Sequence, residues 1–203
     1  MPALAITGSI GSGKSLVLRA LAFLLKDHLG ADIYSADDEN RRLLDEDPEV
    51  KSLICSQLGT SCYRSDGRAD RKILFDLISH DQSSRTTLES ILHPRLEACW
   101  KPLAEKFRQT NKAYFLAEIP LLYEKKLEVF FDKTIVVGCS DSVRRERLQR
   151  LRSLTAVQAT AWLNIQVSQE AKVAKAQHLL WNDGSEALLQ QQIHLLASYF
   201  LQS

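Results

Sequence analysis

Residues 2–7 are short and apolar and run into glycines at positions 8, 11 and 13, the pattern of a buried strand ending in a tight loop. Residues 16–29 are apolar on nearly every side, with Arg19, Lys26 and Asp27 the main exceptions. That predicts a helix buried all round and closed by Gly30. A second short strand is expected over 32–35, beginning at Asp32. Residues 37–107 read as mostly helical with a polar surface. Pro48 suits the first turn of one helix, and the Arg-Ser-Asp-Gly run at 64–67 is a turn. His93-Pro94 is expected to interrupt or restart a helix, because proline disfavours a helical residue before it. Further strands are expected at 114–118, stopped by Pro120, at 134–137, followed by Gly138, and at 178–181. Helices are expected at 141–152 and 155–167. A last helix starts at the capping residue Ser185, with Leu188, Leu189, Ile193, Leu195, Leu196, Tyr199 and Phe200 as its apolar face.

Strands separated by helices give an α/β fold with a five-stranded, mainly parallel sheet. The gap of about 80 residues between the second and third strands exceeds one crossover helix, so it should hold a helical insertion. The 203 residues fit one domain, or one domain with an inserted subdomain. With 45% hydrophobic and 25% charged residues, wholesale disorder is excluded. Lys plus Arg is 26 and Asp plus Glu 25, a net charge of +1, too balanced for a dedicated duplex-binding protein, and no nucleic-acid role is expected. No apolar run reaches the roughly 18 residues of a membrane span, and no secretion signal is evident. Cys55, Cys62, Cys99 and Cys139 form no Cys-x-x-Cys pair and have no His at zinc spacing. They are expected to be reduced thiols in a cytoplasmic protein.

The run Gly8-Ser-Ile-Gly-Ser-Gly-Lys-Ser15 fits G-x-x-x-x-G-K-[ST], the phosphate loop of nucleotide-binding proteins. Its glycines let backbone amides approach phosphate oxygens, and the following helix points unpaired N–H groups at the anion. The amides of Gly11, Ser12, Gly13, Lys14, Ser15 and Leu16 form the expected nest. Lys14 can reach the β- and γ-phosphates, and the Ser15 hydroxyl can coordinate the Mg²⁺ that accompanies ATP.

Two acids follow strands, where an open α/β sheet places its ligands. Asp37 comes after the second strand and Glu118 ends the third. One carboxylate can accept a proton from a substrate hydroxyl and another can hold Mg²⁺-bound water. Asp37 equally suits a helix cap, and Glu118 a surface position at a strand end. Residues 141–152 carry Arg144, Arg145, Arg147, Arg150 and Arg152, either a lid that neutralises a transferred phosphoryl group or a solvated basic face.

The run from Thr7 to Ser15, Ala36-Asp37 with Arg41, Leu92-His93-Pro94, Ile119-Pro-Leu-Leu-Tyr-Glu124, Gln166 and Asn182-Asp-Gly184 follow one another over nearly the whole chain. Together they resemble the dephospho-CoA kinase family. The phosphate loop is shared with many nucleotide-binding proteins, whereas Leu-His-Pro and Pro-Leu-Leu-x-Glu in combination are far more specific. The resemblance implies a P-loop kinase core with a helical acceptor-binding insertion and a helical lid. It implies transfer of the γ-phosphoryl of ATP to the ribose 3′-hydroxyl of dephospho-CoA, the last step of coenzyme A synthesis. The core would comprise residues 1–36 and 110–203 with a lid at about 140–168, and the insertion 37–109.

By the same resemblance Asp37 is the base and Lys14 the phosphate lysine. Arg71 and His93 face the acceptor, and Asn182 and Gly184 lie along the adenine; Glu118, from its place at the end of the third strand rather than from the resemblance, is expected at the acceptor site. The family's lid arginine falls on Leu151, between Arg150 and Arg152, so Arg150 is expected to act as the catalytic lid arginine, with Arg147 a second nucleotide contact. Ser35 stands where the family often has an acid, Leu16 where it often has Thr, and Gln177 where an Asp is common. The expected partners are ATP and dephospho-CoA, and the expected state is a monomer or weak homo-oligomer. A nucleoside or nucleotide kinase of the same fold, or a non-catalytic ATP-binding module, are the competing readings.

Overall fold

The computed structural model describes residues 2–29, 33–110, 113–152, 154–165 and 167–202. Gly30, Asp32 and Gln166, named above, lie outside them, as do the side chains of Leu151 and Arg152. Five strands, β1 (Ala3–Thr7), β2 (Tyr34–Ser35), β3 (Phe115–Glu118), β4 (Lys133–Gly138) and β5 (His178–Trp181), form one sheet in the order β2-β3-β1-β4-β5. Every pairing is parallel, and Ala5 of β1 lies between Ala117 and Thr134. After β1 the chain builds the β2-β3 side, and after β3 it crosses to β4. The loop leaving β1 therefore stands at the point where the winding reverses, where open parallel sheets bind ligands.

All five residues of β1 are buried, as a central strand covered on both faces requires. On one face, α1 (Lys14–Leu24) and α9 (Glu186–Gln202) pack Val17, Leu18, Leu21, Leu189, Ile193 and Phe200 against Leu4, Ile6, Ile135 and Val137. α1 is shorter and more one-sided than its composition predicts. It stops at Leu24 and passes into a 3₁₀ turn at Lys26–His28, and Phe23 is 70% exposed. The helix yields because Leu29 bridges to Tyr114, whose N–H donates to the His28 carbonyl at 2.7 Å. Sheet pairing at that edge wins over helix propagation.

Residues Met1–Ser35 and Lys101–Ser203 make one compact unit and Ala36–Trp100 another. The second is built from α2 (Ala36–Glu46), α3 (Pro48–Leu58), α4 (Arg71–His80) and most of α5 (Gln82–Thr110) around Leu43, Val50, Ile54, Cys62, Leu74 and Ile91. Pro48 opens α3 behind the cap Asp47, and the turn at 64–67 closes with Gly67 N–H to Arg64 O at 3.0 Å. The expected break at His93-Pro94 does not occur: α5 runs through it, and through Pro102, for 29 residues. An interior proline costs a helix about 3 kcal/mol. Burial of Leu88, Ile91 and Leu92 on one side of Pro94 and of Trp100, Ala104 and Phe107 beyond it offsets that cost. The Arg95 guanidinium also donates to the Ile91 carbonyl at 2.8 Å, beside the disturbed turn.

The expected charged helix is α6 (Asp141–Arg152). The next, α7 (Ala156–Ile165), ends earlier than expected, and a short α8 (Gln169–Ala174), capped by Ser168, follows where no separate helix was anticipated. Leu188, Leu195 and Tyr199 of α9, expected on its buried face, are 49%, 73% and 51% exposed. Only Leu189, Ile193, Leu196, Ala197 and Phe200 line the core, because one strip of the helix covers the sheet.

Candidate active site

The loop between β1 and α1 has the conformation that its glycines allow. Gly11 and Gly13 take φ of 79° and 96°, in the left-handed region. A side chain at Gly13 would have its Cβ 2.5 Å from Asn182 Nδ2, so the residue is fixed by space as well as by backbone angle. Of the six amides expected to face an anion, those of Ser12 and Leu16 bond within the loop, to Ser9 O and Gly13 O. The amides of Gly11, Gly13 and Ser15 donate to no protein group among the described residues. Lys14 is 7% exposed and its ammonium donates to Ser9 O at 3.3 Å, which lays the side chain back over the loop. Undonated N–H groups, a helix start and a lysine on one turn fit a polyphosphate chain.

Glu118 is wholly buried at the end of β3, so the surface position considered for it is wrong. Parallel pairing with Ile6 and Ser35 carries it under the loop. Its two oxygens accept the Ser15 hydroxyl at 3.2 Å and the Ser35 hydroxyl at 3.5 Å. The Ser35 departure from the family thereby gains a local meaning. A hydroxyl at that position gives Glu118 a donor, where a second carboxylate would repel it.

The α6–α7 hairpin packs Leu148, Ala159 and Leu163 on Ile10 of the loop. Its arginines divide into distinct roles. Arg144 is 4% exposed and pairs with Asp141, contrary to a solvated face. Arg147 donates to Gly11 O at 3.4 Å and to Asn182 O and Oδ1 at 2.9 and 3.3 Å. Asn182 in turn donates through Nδ2 to Ser12 O at 2.8 Å and is 6% exposed. Arg147 and Asn182 thus clamp the phosphate loop to the turn after β5. Arg150 is exposed, with no ion pair or hydrogen bond among the described residues. Gly184 lies in the turn before α9, where a Cβ would meet Leu188 Cδ2 at 2.8 Å. Cys139 lies beside Gly11 O, and burial pushes its thiol up to about 11, so it is a neutral thiol.

The remaining expected residues lie in the helical unit. Asp37 is the second residue of α2, two positions beyond β2. It is half-buried, does not serve as the cap, and its carboxylate has no partner within its unit. Arg71 opens α4 and pairs with Asp45 at 2.8 Å, and its side chain is 44% exposed. His93 is half-buried in the middle of α5.

Sequence reasoning missed a second buried group. Lys172 of α8 has no exposure and donates to Glu124 Oε1 at 2.8 Å and Pro120 O at 3.0 Å. Burial holds its pKa below the ordinary lysine value, against the opposing pull of the Glu124 carboxylate. Glu124 was visible in Pro-Leu-Leu-x-Glu, but its partner was not. Gln177, with no evident consequence in sequence, accepts the Thr134 N–H at 2.7 Å through its side-chain oxygen.

Comparison with known proteins agrees with this geometry. Residues 3–187 match the family model for dephospho-CoA kinase, CoaE. The dephospho-CoA kinase of Methylococcus capsulatus is 30% identical over 94% of this chain and 92% of its own. That of Anaeromyxobacter dehalogenans is 32% identical over 97% of this chain and 92% of its own. The solved dephospho-CoA kinase of Campylobacter jejuni superposes with a TM-score of 0.63 at 27% identity, over 98% of this chain and 96% of that one. A match running from β1 into α9, over a sheet with this strand order and a phosphate loop of this form, shows that the chain belongs to the dephospho-CoA kinase family.

Proposed function

We propose that Asp37 is the general base in a transfer of the γ-phosphoryl of ATP to the ribose 3′-hydroxyl of dephospho-CoA. The observation that carries this reading is the phosphate cradle: undonated amides at Gly11, Gly13 and Ser15, Lys14 laid over them, and Glu118 on the Ser15 hydroxyl. The amides and Lys14 hold the β- and γ-phosphates and offset the charge that spreads over the transferred group. Ser15, with its hydroxyl on Glu118, would hold the Mg²⁺ that accompanies ATP, and that ion would supply charge neutralisation for the transferred group. Asn182, Gly184 and Arg147 form the adenine side of the nucleotide site. Arg147 acts through the loop carbonyl it grips, while the exposed Arg150 is available to the γ-phosphate. Arg71 and His93 receive the acceptor. Asp37, half-buried and unpaired within its helix, accepts the hydroxyl proton as the new P–O bond forms and ADP leaves. The four free cysteines support a reducing, cytoplasmic setting.

ADP release should be measured by a coupled assay with Mg²⁺-ATP and dephospho-CoA, AMP, a set of nucleosides, or no acceptor. Turnover with dephospho-CoA at least about 100-fold above the others is expected. Preference for AMP or a nucleoside would favour a different acceptor class. ATP binding with no transfer to any acceptor would reject catalysis.

A further inference from the structure

Lys172 follows the α6–α7 hairpin on a helix of six residues, and its complete burial is unusual for lysine. Its ammonium reaches Glu124 Oε1 and the Pro120 carbonyl. The same Glu124 oxygen accepts the Val167 N–H at 3.3 Å, just before the Ser168 cap of α8. The Pro120 carbonyl also accepts the Thr7 hydroxyl at 3.4 Å, and Thr7 immediately precedes the first loop glycine. Two residues before Pro120, Glu118 holds Ser15. One turn before Lys172 in α8, Gln169 donates to the Cys139 carbonyl, where β4 passes into α6.

One buried ion pair thus joins the returning end of the hairpin to the 118–124 segment, and Gln169, one turn earlier, joins it to the hairpin's start. Stability alone does not account for it. A buried ion pair often contributes no more than apolar side chains of similar volume, because desolvation opposes the attraction. What apolar side chains cannot reproduce is direction: three oxygen and nitrogen partners held at fixed distances.

We propose that Glu124 and Lys172 are positioning residues for phosphoryl transfer, fixing the return end of the α6–α7 hairpin against the segment that carries Glu118. The hairpin arginines and the Glu118–Ser15 pair then keep one relative placement during turnover. This rests on the kinase reading above.

The test uses Lys172→Met, Lys172→Arg, Glu124→Leu and the double variant Glu124→Leu/Lys172→Met in the full chain. Tm, ATP affinity by calorimetry, kcat with dephospho-CoA and ATP hydrolysis without acceptor are measured for each. Misplacement by about 1 Å costs on the order of 10²-fold in rate. Accordingly, kcat should fall about 10- to 100-fold in Lys172→Met with ATP affinity within about 3-fold, and hydrolysis should rise as a share of total turnover. Lys172→Arg should recover part of kcat. The double variant removes the unpaired buried charge, so its Tm should recover relative to either single variant while kcat stays low. Recovery of Tm and kcat together in the double variant would show a purely structural role and overturn the proposal, as would an undiminished kcat in Lys172→Met. Failure of the unaltered protein to phosphorylate dephospho-CoA would reject the kinase reading instead.

Discussion

Gly13 meets two demands at once, a left-handed backbone and a neighbour too close for a Cβ. Gly13→Ala should weaken ATP binding at least about 10-fold in calorimetry, since a left-handed L-residue costs roughly 1–2 kcal/mol and Asn182 must also leave Ser12 O. Unchanged affinity would contradict the clamp described here. His178 gives a pH-dependent counterpart. Burial, with Lys133 nearby, holds its pKa below the ordinary histidine value of about 6.5. Its ring lies 5.4 Å from that of Tyr199 and 5.2 Å from that of Phe200. The unfolded chain therefore binds the proton more readily, and stability is lost as the pH falls below about 6.5. Urea unfolding at pH 7.5 and pH 5 should show a smaller acid loss in His178→Phe than in the unaltered protein; equal losses would exclude this origin. The phosphate loop was legible in sequence because its chemistry is local. The burial of Glu118 was not, because β1 and β2 create it from distant positions. Lys172 was hidden for the same reason: in a polar stretch a lysine reads as solvated until Glu124 is placed against it.

Local rules predicted where most elements lie and failed where packing overrode them. All five predicted strands and the arginine helix were found within a residue or two of their expected positions. Proline's preference against a helical neighbour failed in α5 because apolar side chains on both sides of His93-Pro94 are buried. In α9, apolar periodicity marked a wider face than the sheet covers. Leu189→Ala or Ile193→Ala should therefore cost about 2–5 kcal/mol in chemical denaturation, and Leu195→Ala no more than about 0.5 kcal/mol. Similar costs at Leu195 and Ile193 would mean that both faces are covered in solution. The boundary between α7 and α8 escaped sequence reasoning because Ser168 caps a helix too short to show its own period.

At the scale of the molecule, the parallel sheet delivers the phosphate loop, Glu118 and the Asn182 turn to the same end of one compact unit, while Asp37, Arg71 and His93 belong to the helical unit. The five-stranded architecture and the insertion between β2 and β3 followed from strand spacing. Which arginine is buried, which clamps the loop and which is exposed depended on the packing of α6. ATP should stabilise the protein by mass action, by about 2.7 kcal/mol at 100 times its Kd, and Lys14→Ala should lose most of the resulting rise in Tm. A full shift in Lys14→Ala would contradict the placement of the triphosphate. The most direct test of the central claim is the single-turnover rate of phosphoryl transfer to dephospho-CoA in Asp37→Asn, with ATP affinity measured in parallel. A fall of about 10² or more with ATP affinity unchanged is the predicted result. Transfer at the unaltered rate would contradict the assignment of Asp37 as the base.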